Sequence, residues 1–426
     1  MRVVCAPLTH GFGRRAPGDL QIALYSQADR ETRGSAGSGI TDVIRRLRQQ
    51  PAPRAWDLLS IALAVIAADT GVRRNETPDG WTRQIDLCVA VADPAFWTSQ
   101  SALIDQQLRF LTNDVWRCAF TDGGLLPATP RLPALPEEDC VALLSGGLDS
   151  LVGVLDLVIR ERRRPYVVSQ VSQGDKETQV YFATKIGDGL RHLQLNHNAN
   201  CPGENERSQR SRSLIFLGYG VLAATALMRY REGRAVTLYV CENGFISINP
   251  PLTTGRLGSL STRTTHPVFV GLFQQLLDAA GLRVRVENPY QFLTKGEMLA
   301  GCADQDFLFR HARQTTSCAR FARNGYKHCG RCVPCLIRRA AFQAWGETDR
   351  TVYVYRDLSR DSDDYARFDD VRSAAMAVAE VRTEGLDGWL GTNLSAALLG
   401  DVAPYRQTVE RGLQELGRFL DSMGVN

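Results

Sequence analysis

The chain has 426 residues, 44% hydrophobic and 23% charged, with a net charge of +4. That composition suits a folded chain of two or three domains with large cores, and it excludes a disordered or fibrous protein. The small charge gives no warrant for non-specific binding to nucleic acid or to an acidic membrane. The first residues, MRVVCAPLTHGFGRR, lack the apolar core of a signal peptide. The longest apolar runs, 58–68 and 214–228, fall short of the roughly 20 residues a membrane span needs, so both are read as buried helices. A cytoplasmic protein with reduced cysteines is expected, and a cluster among its eleven cysteines then suggests metal rather than disulfides.

In chain order, DLQIALYS (19–26) and RQIDLCVAV (83–91) alternate as strands, and AWDLLSIALAVIAADTG (55–71) reads as the buried helix between them. Residues 1–137 are expected to form an α+β region, closing in a semi-extended linker over 126–137 that carries Pro127, Pro130, Pro133 and Pro136. From 138 to 347 strands and helices alternate. Strands are read at VALLS (141–145), YVVSQVS (166–172), TLYVCE (237–242) and RVRVEN (283–288). Helices are read over 177–193, 211–230 and 267–281. This order predicts an α/β fold with a parallel sheet covered by helices on both faces. Residues 348–426 are expected to form a helical extension ending in YRQTVERGLQELGRFLDSM. No internal repeat is visible in the sequence.

Two motifs carry chemistry. The first is VALLSGGLDSLVG (141–153), where Ser145-Gly146-Gly147 leaves a buried strand and Asp149 and Ser150 open a helix. Glycines let backbone amides approach an anion, and a helix N-terminus favours negative charge. The loop is neither GxxxxGK[ST] nor GxGxxG. The second is Cys318, Cys329, Cys332 and Cys335, spaced C-x10-C-x2-C-x2-C. Four thiolates at that spacing suit a closed tetrahedral zinc site; an iron–sulfur cluster is the alternative. Between them, Glu242 and Asn243 end a strand, and Arg263, Thr264, Thr265 and His266 sit in a dense polar loop begun by Ser261 and Thr262.

SGGLDS resembles the pyrophosphate loop (PP-loop) of the N-type ATP pyrophosphatases. Together with NPYQFLTKGEML (288–299) and SC…CGRCVPCLIRRAAF (317–342), it makes the stretch 138–347 similar to the 7-cyano-7-deazaguanine synthase (QueC) family. The resemblance implies a PP-loop α/β domain with structural Zn2+ that uses Mg2+ and ATP to adenylate the carboxylate of 7-carboxy-7-deazaguanine. By motif match, Ser145, Gly146, Gly147, Asp149 and Ser150 would hold pyrophosphate and orient Mg2+. Lys295 would reach a phosphate, and Arg212 is a second phosphate candidate. His266 is a candidate base or substrate contact. Glu242, Asn243, Arg263, Thr264 and Thr265 are candidates for the substrate side.

Two stretches depart from the family pattern, SQVSQGDKETQ (169–179) and GRLGSLSTRTTHP (255–267), and the chain is about twice the family's length. The long form resembles the QueC-like proteins of anti-phage operons, QatC of the Qat system and a branch linked to cyclic-oligonucleotide signalling (CBASS). That resemblance implies an AMP-forming carbon–nitrogen ligase acting on an amine of a partner protein, N-terminal by preference, which residues 1–137 would dock. The alternatives are a nitrile synthase using ammonia for queuosine-type tRNA modification, a tRNA thiolase, and a subunit that only binds nucleotide.

Overall fold

A computed structural model describes residues 1–425 except 13–15, 29–30, 207–208, 254–262, 360–368 and 391–398. Among the described residues, ten strands fall into two sheets. The first holds β1 (Arg2–Pro7), β2 (Leu20–Leu24), β3 (Gly34–Ala36), β4 (Gln84–Ala90) and β5 (Val115–Thr121). The second holds β6 (Cys140–Leu143), β7 (Pro165–Gln170), β8 (His192–Leu195), β9 (Val236–Tyr239) and β10 (Val284–Glu287). Every strand pair is parallel. The sheet order is β3-β2-β1-β4-β5 in the first and β8-β7-β6-β9-β10 in the second. Numbered within each sheet, both read 3-2-1-4-5.

This corrects one expectation. The N-terminal region is α/β, not α+β, because its strands run parallel. The sequence shows no repeat, and the two sheets nevertheless share one strand order.

Helices α1 (Ile40–Arg46) and α2 (Pro53–Gly71) link β3 to β4, and α3 (Ser101–Thr112) precedes β5. In the second half α4 (Leu148–Leu155) follows β6, α5 (Lys176–Lys185) follows β7, α6 (Arg212–Ala226) follows β8 and α7 (Pro267–Ala279) follows β9. The helix expected over 177–193 ends at Lys185, and β8 occupies its last residues. Strand β8 reads HLQL, whose polar residues gave no apolar pattern.

The two halves meet through matching elements: α2 packs on α6, and α3 on α7. This explains why α2 is buried on every side from Ala55 to Thr70. One hydrophobic cluster accordingly runs from Val3, Ile22 and Leu87 through Leu59 and Leu222 to Val141 and Leu238. Close approach is built in: a Cβ on Gly220 would lie 2.6 Å from Leu238 Cδ1.

Polar groups seal the same seam. Asp69, at the end of α2, accepts from the backbone N–H of Arg210 (2.7 Å) and Ser211 (2.9 Å), just before α6. Its other oxygen pairs with Arg83, which also holds Asp114.

After Lys295–Ala300 (α8) and Val333–Trp345 (α9), the chain ends in α10 (Asp369–Glu384) and α11 (Ala403–Ser422). These close a second cluster in which Val371, Val409, Leu413 and Leu416 meet Val268, Leu272 and Leu336. No described helix is long and apolar enough to cross a membrane.

Candidate nucleotide site and four-cysteine centre

The site forms at the carboxyl end of β6, the central strand of the second sheet, where open α/β sheets bind ligands. Gly146 adopts φ +85°, a backbone that only glycine takes without strain. Ser150 Oγ lies 3.1 Å from Ser145 Oγ and donates to Gly147 O at 3.0 Å, which fixes the turn into α4.

Two neighbours clasp the loop from outside. Gln179, fully buried on α5, donates to Ser145 O at 3.1 Å, while Gln194 of β8 donates to Gln179 Oε1 at 3.1 Å. Opposite, the backbone N–H of Thr316 donates to Gly146 O at 3.0 Å. Neither contact was legible in sequence. Gln179 sits in a stretch noted only as a departure from the family, and Thr316 acts through its main chain.

Asp149 and Lys295 form a buried ion pair although 146 positions separate them. Asn243 donates to Asp149 Oδ2 through its amide side chain (2.7 Å) and its backbone (3.2 Å). Burial alone would raise the Asp149 carboxyl. The Lys295 ammonium, with hydrogen bonds from Glu242, Lys295 and Asn243, outweighs it and holds Asp149 well below the usual carboxylate range. Glu242 moves the other way: burial first, then the Asp149 charge beside it, push its carboxyl well up. The site thus drives two neighbouring carboxyls in opposite directions.

Lys295 is delivered by α8, whose start is held twice. Thr294 and Glu297 form a reciprocal capping box. From α11, Glu415 accepts from the Thr294 hydroxyl and from Gly296 N (3.3 Å). The C-terminal extension thereby reaches the site, a role the sequence did not signal.

A cavity of about 260 Å3 gathers Ser145, Gly147, Asp149, Ser150, Glu242, Thr264 and Lys295. Arg212 stands exposed at the first turn of α6 and does not line it. His266 is buried as the N-cap of α7, where its Nδ1 accepts from Val268 N at 3.2 Å; burial lowers its pKa to about 3. Arg263 bonds Phe110 O of α3 at 3.1 Å, and the Phe110 ring lies 5.0 Å from that of His266. The first half thus braces the polar loop. Ser261 and Thr262 lie outside the described residues.

The thiols of Cys318, Cys329, Cys332 and Cys335 converge, with all four sulfurs within 4.8 Å of one another. The Cys318–Cys332 and Cys329–Cys335 sulfurs are 3.8 and 3.9 Å apart. A tetrahedron of bonds of about 2.3 Å has edges of about 3.8 Å, so the set fits one zinc-sized ion. Backbone N–H groups of Cys329 and Cys332 point at Cys318 Sγ (3.3 Å) and Cys329 Sγ (3.2 Å), as suits thiolates. Thr316, Ser317 and Pro334, flanking the cysteines, also line the nucleotide cavity.

A parallel α/β sheet with an SGG loop at its central strand, beside a four-cysteine knot, defines a PP-loop type of domain. Residues 264–346 match the family profile of the queuosine biosynthesis protein QueC. The chain is 36% identical over 98 residues to a 7-cyano-7-deazaguanine synthase of Paracoccus denitrificans, covering 22% of this chain and 40% of that protein. It is 24% identical over 237 residues to the Sinorhizobium fredii synthase, covering 50% of this chain and 91% of that one. A Brucella anthropi synthase is 24% identical over 244 residues, 52% and 95%. The chain is QueC-like: it carries a QueC-family segment and has 7-cyano-7-deazaguanine synthases as relatives.

Proposed function

We propose that the second sheet adenylates the carboxylate of 7-carboxy-7-deazaguanine with ATP and passes the acyl group to an amine of a partner protein. The observation that carries this reading is the buried Asp149–Lys295 pair, with Glu242 beside it, at the head of α4 and next to the SGG loop. A carboxylate is a poor electrophile until it becomes a mixed anhydride. Its oxygen attacks the α-phosphorus, the bond to the β-phosphate breaks, and pyrophosphate leaves.

Bringing two anions together requires donors aimed at the phosphates. The amides of Gly146 and Gly147, the hydroxyls of Ser145 and Ser150 and the Lys295 ammonium would serve as those donors. Asp149 and Glu242 would hold Mg2+, which when bound neutralises triphosphate charge. The four cysteines would hold Zn2+ as a structural tie. Thr264 would face the deazaguanine, with Arg263, Thr265 and His266 behind it, while Asn243, fully buried, would act through the Asp149 carboxylate it holds.

On this reading 1–137, 138–347 and 348–426 act as docking, catalytic and bracing units, and the setting is cytoplasmic anti-phage defence, as the resemblance of the long form suggests. The names of the relatives favour a second reading, nitrile synthesis with ammonia.

Purified protein would be incubated with Mg-ATP and 7-carboxy-7-deazaguanine, with and without ammonium, and the products read by mass spectrometry. AMP and pyrophosphate without nitrile are expected. Nitrile formation would establish the second reading, and absence of AMP would refute both.

A further inference from the structure

The helix that carries Asp149 carries a second buried carboxylate, Asp156, about two turns further on and on the same face. Asp149 meets Lys295 at the nucleotide cavity. Asp156 is 5% exposed and does not line that cavity, yet it bonds the same segment that delivers Lys295.

Its two oxygens take the two flanks of that segment. Asp156 Oδ2 accepts from the Tyr290 hydroxyl at 2.6 Å, ahead of Lys295. Asp156 Oδ1 accepts from the backbone N–H of Ala303 at 2.7 Å, beyond the end of α8. Arg160 completes the group: it bonds Asp156 Oδ2 at 3.1 Å and donates to the carbonyl of Gly301, which caps α8. Here the helix widens into a π turn over Asp156–Arg160, with Glu161 N donating to Asp156 O at 3.0 Å. Such turns recur at functional sites.

The packing between the two carboxylates serves the same contact. Gly153 stands between them on that face. A Cβ there would fall 2.2 Å from Cys241 Sγ and 3.5 Å from Tyr290 Cε2, so the glycine lets both side chains close on the helix. Tyr290, 6% exposed, accepts from Leu293 N at 3.0 Å through its carbonyl. Its own N–H donates to Asn288 Oδ1 at 3.1 Å, and Asn288 Nδ2 donates to Glu242 O at 2.8 Å. One tyrosine therefore links Asp156 to the chain that carries Glu242 and to the helix that carries Lys295.

A lysine ammonium is a point charge on a flexible stem, so its aim depends on where its helix stands. The capping box and Glu415 fix only the first turn of α8. Held there alone, the helix would pivot about its start. Asp156 and Arg160 hold its far end and the chain leading in. Misplacing a reacting group by about 1 Å costs about a hundredfold in rate. Buried behind the cavity wall, with donors from Tyr290, Arg160 and Ala303 on its oxygens, Asp156 itself has no path to metal or nucleotide.

Resting on the adenylation reading above, we propose that Asp156 is a positioning residue that sets Lys295 in register with Asp149 and the SGG loop. It acts on the reaction only through that lysine. When the bond to the β-phosphate breaks, its electron pair leaves with pyrophosphate, and the ammonium held in register meets that charge.

The test is a double-mutant cycle on the full chain, with Mg-ATP and 7-carboxy-7-deazaguanine in single turnover and AMP read from radiolabelled ATP. Asp156→Asn removes the charge and replaces one acceptor by a donor; it is expected to slow AMP formation by about tenfold or more. Tyr290→Phe removes one hydroxyl and keeps the ring. It is expected to slow the reaction several-fold, and it serves if Asp156→Asn fails to fold. Each is then combined with Lys295→Met, which keeps the stem and removes the ammonium. In that background both are expected to be silent, with rates within about twofold of Lys295→Met alone. Tm is recorded for every variant, and rates are read well below the lowest.

A purely structural role would slow the reaction by the same factor with or without the ammonium, and that result would overturn the proposal. So would folded Asp156→Asn and Tyr290→Phe proteins that react at the wild-type rate; both results leave adenylation standing. Wild-type protein that forms no AMP would refute the adenylation reading and take this proposal with it.

Discussion

The two sheets share strand order, strand direction and the helices by which they pack, yet the loops that leave their central strands differ. In the second, β6 runs into Ser145-Gly146-Gly147 and a cavity opens. In the first, β1 runs into Pro7-Leu8-Thr9-His10, whose proline has no N–H to offer. Between the ends of β1 and β4, where this sheet order reverses, the chain packs on itself, and the cavity of about 480 Å3 at this end of the sheet lies on the β2 side, lined by Leu8, Leu24, Tyr25 and Pro127 and by no glycine. A Cβ on Gly123 would fall 1.9 Å from His10 Nδ1, one on Gly124 2.3 Å from Val91 C, and Gly124 N donates to Val91 O at 3.1 Å. Topology therefore supplies a place for a ligand but not the ligand site. The site is made by the loop after the central strand and by the elements that clasp it.

The sharpest way to break this comparison is to alter the matching loops. Asp149→Ala is expected to lower AMP formation by about a thousandfold or more. Thr9→Ala, at the matching place in the first sheet, is expected to leave it unchanged; equal losses in steady-state assays would contradict the asymmetry.

Next in size is the seam between the sheets. Asp69→Ala leaves Arg83 buried with one of its two carboxylate partners gone, and removes the acceptor for Arg210 and Ser211. A loss of about 3–5 kcal/mol is expected in denaturant unfolding. Because one core spans both sheets, wild-type protein should unfold in a single transition over the two; separate transitions for the sheets would argue against the shared core.

The tie between the cysteine knot and the loop is tested by Cys332→Ser or by stripping metal. Thr316 stands two residues before Cys318 and bonds Gly146 O. Loss of the centre should lower solubility and weaken binding of an ATP analogue. Metal-free protein that folds and binds the analogue normally would refute the tie.

The smallest effect is in pH. Glu242 is raised above the ordinary glutamate value of 4.5, so the folded chain binds a proton the unfolded chain has released. Its contribution to stability is full below the ordinary carboxyl range and is lost as pH rises toward the raised value. Without nucleotide and Mg2+, Glu242→Gln should therefore gain Tm relative to wild type between pH 5 and pH 8; a constant difference would contradict the protonated reading.

The sequence showed what depends on local pattern. SGGLDS and the four cysteines were legible because each packs its chemistry into a few residues. The buried helices α2 and α6 were legible because apolar surface on all sides leaves a continuous run. The repeat was not, because it lies in strand order while the loops after the two central strands differ in sequence. The parallel direction of β1 and β2 was hidden by a short connection with no described α-helix, where an alternating pattern reads equally as a hairpin. Asp149 and Lys295 were each singled out, but their pairing across the sheet was not. The supports from Gln179, Thr316, Phe110 and Glu415 act at a distance or through the main chain and left no motif.

The most direct test of the account is the stoichiometry of nucleotide binding, measured by titration calorimetry with Mg2+ and an ATP analogue carrying a methylene between the α and β phosphates. The account predicts one site per chain, abolished by Gly147→Val and untouched by Thr9→Ala. Two sites per chain would mean that the first sheet also binds nucleotide, and one that survives Gly147→Val would mean that the second is not where nucleotide binds.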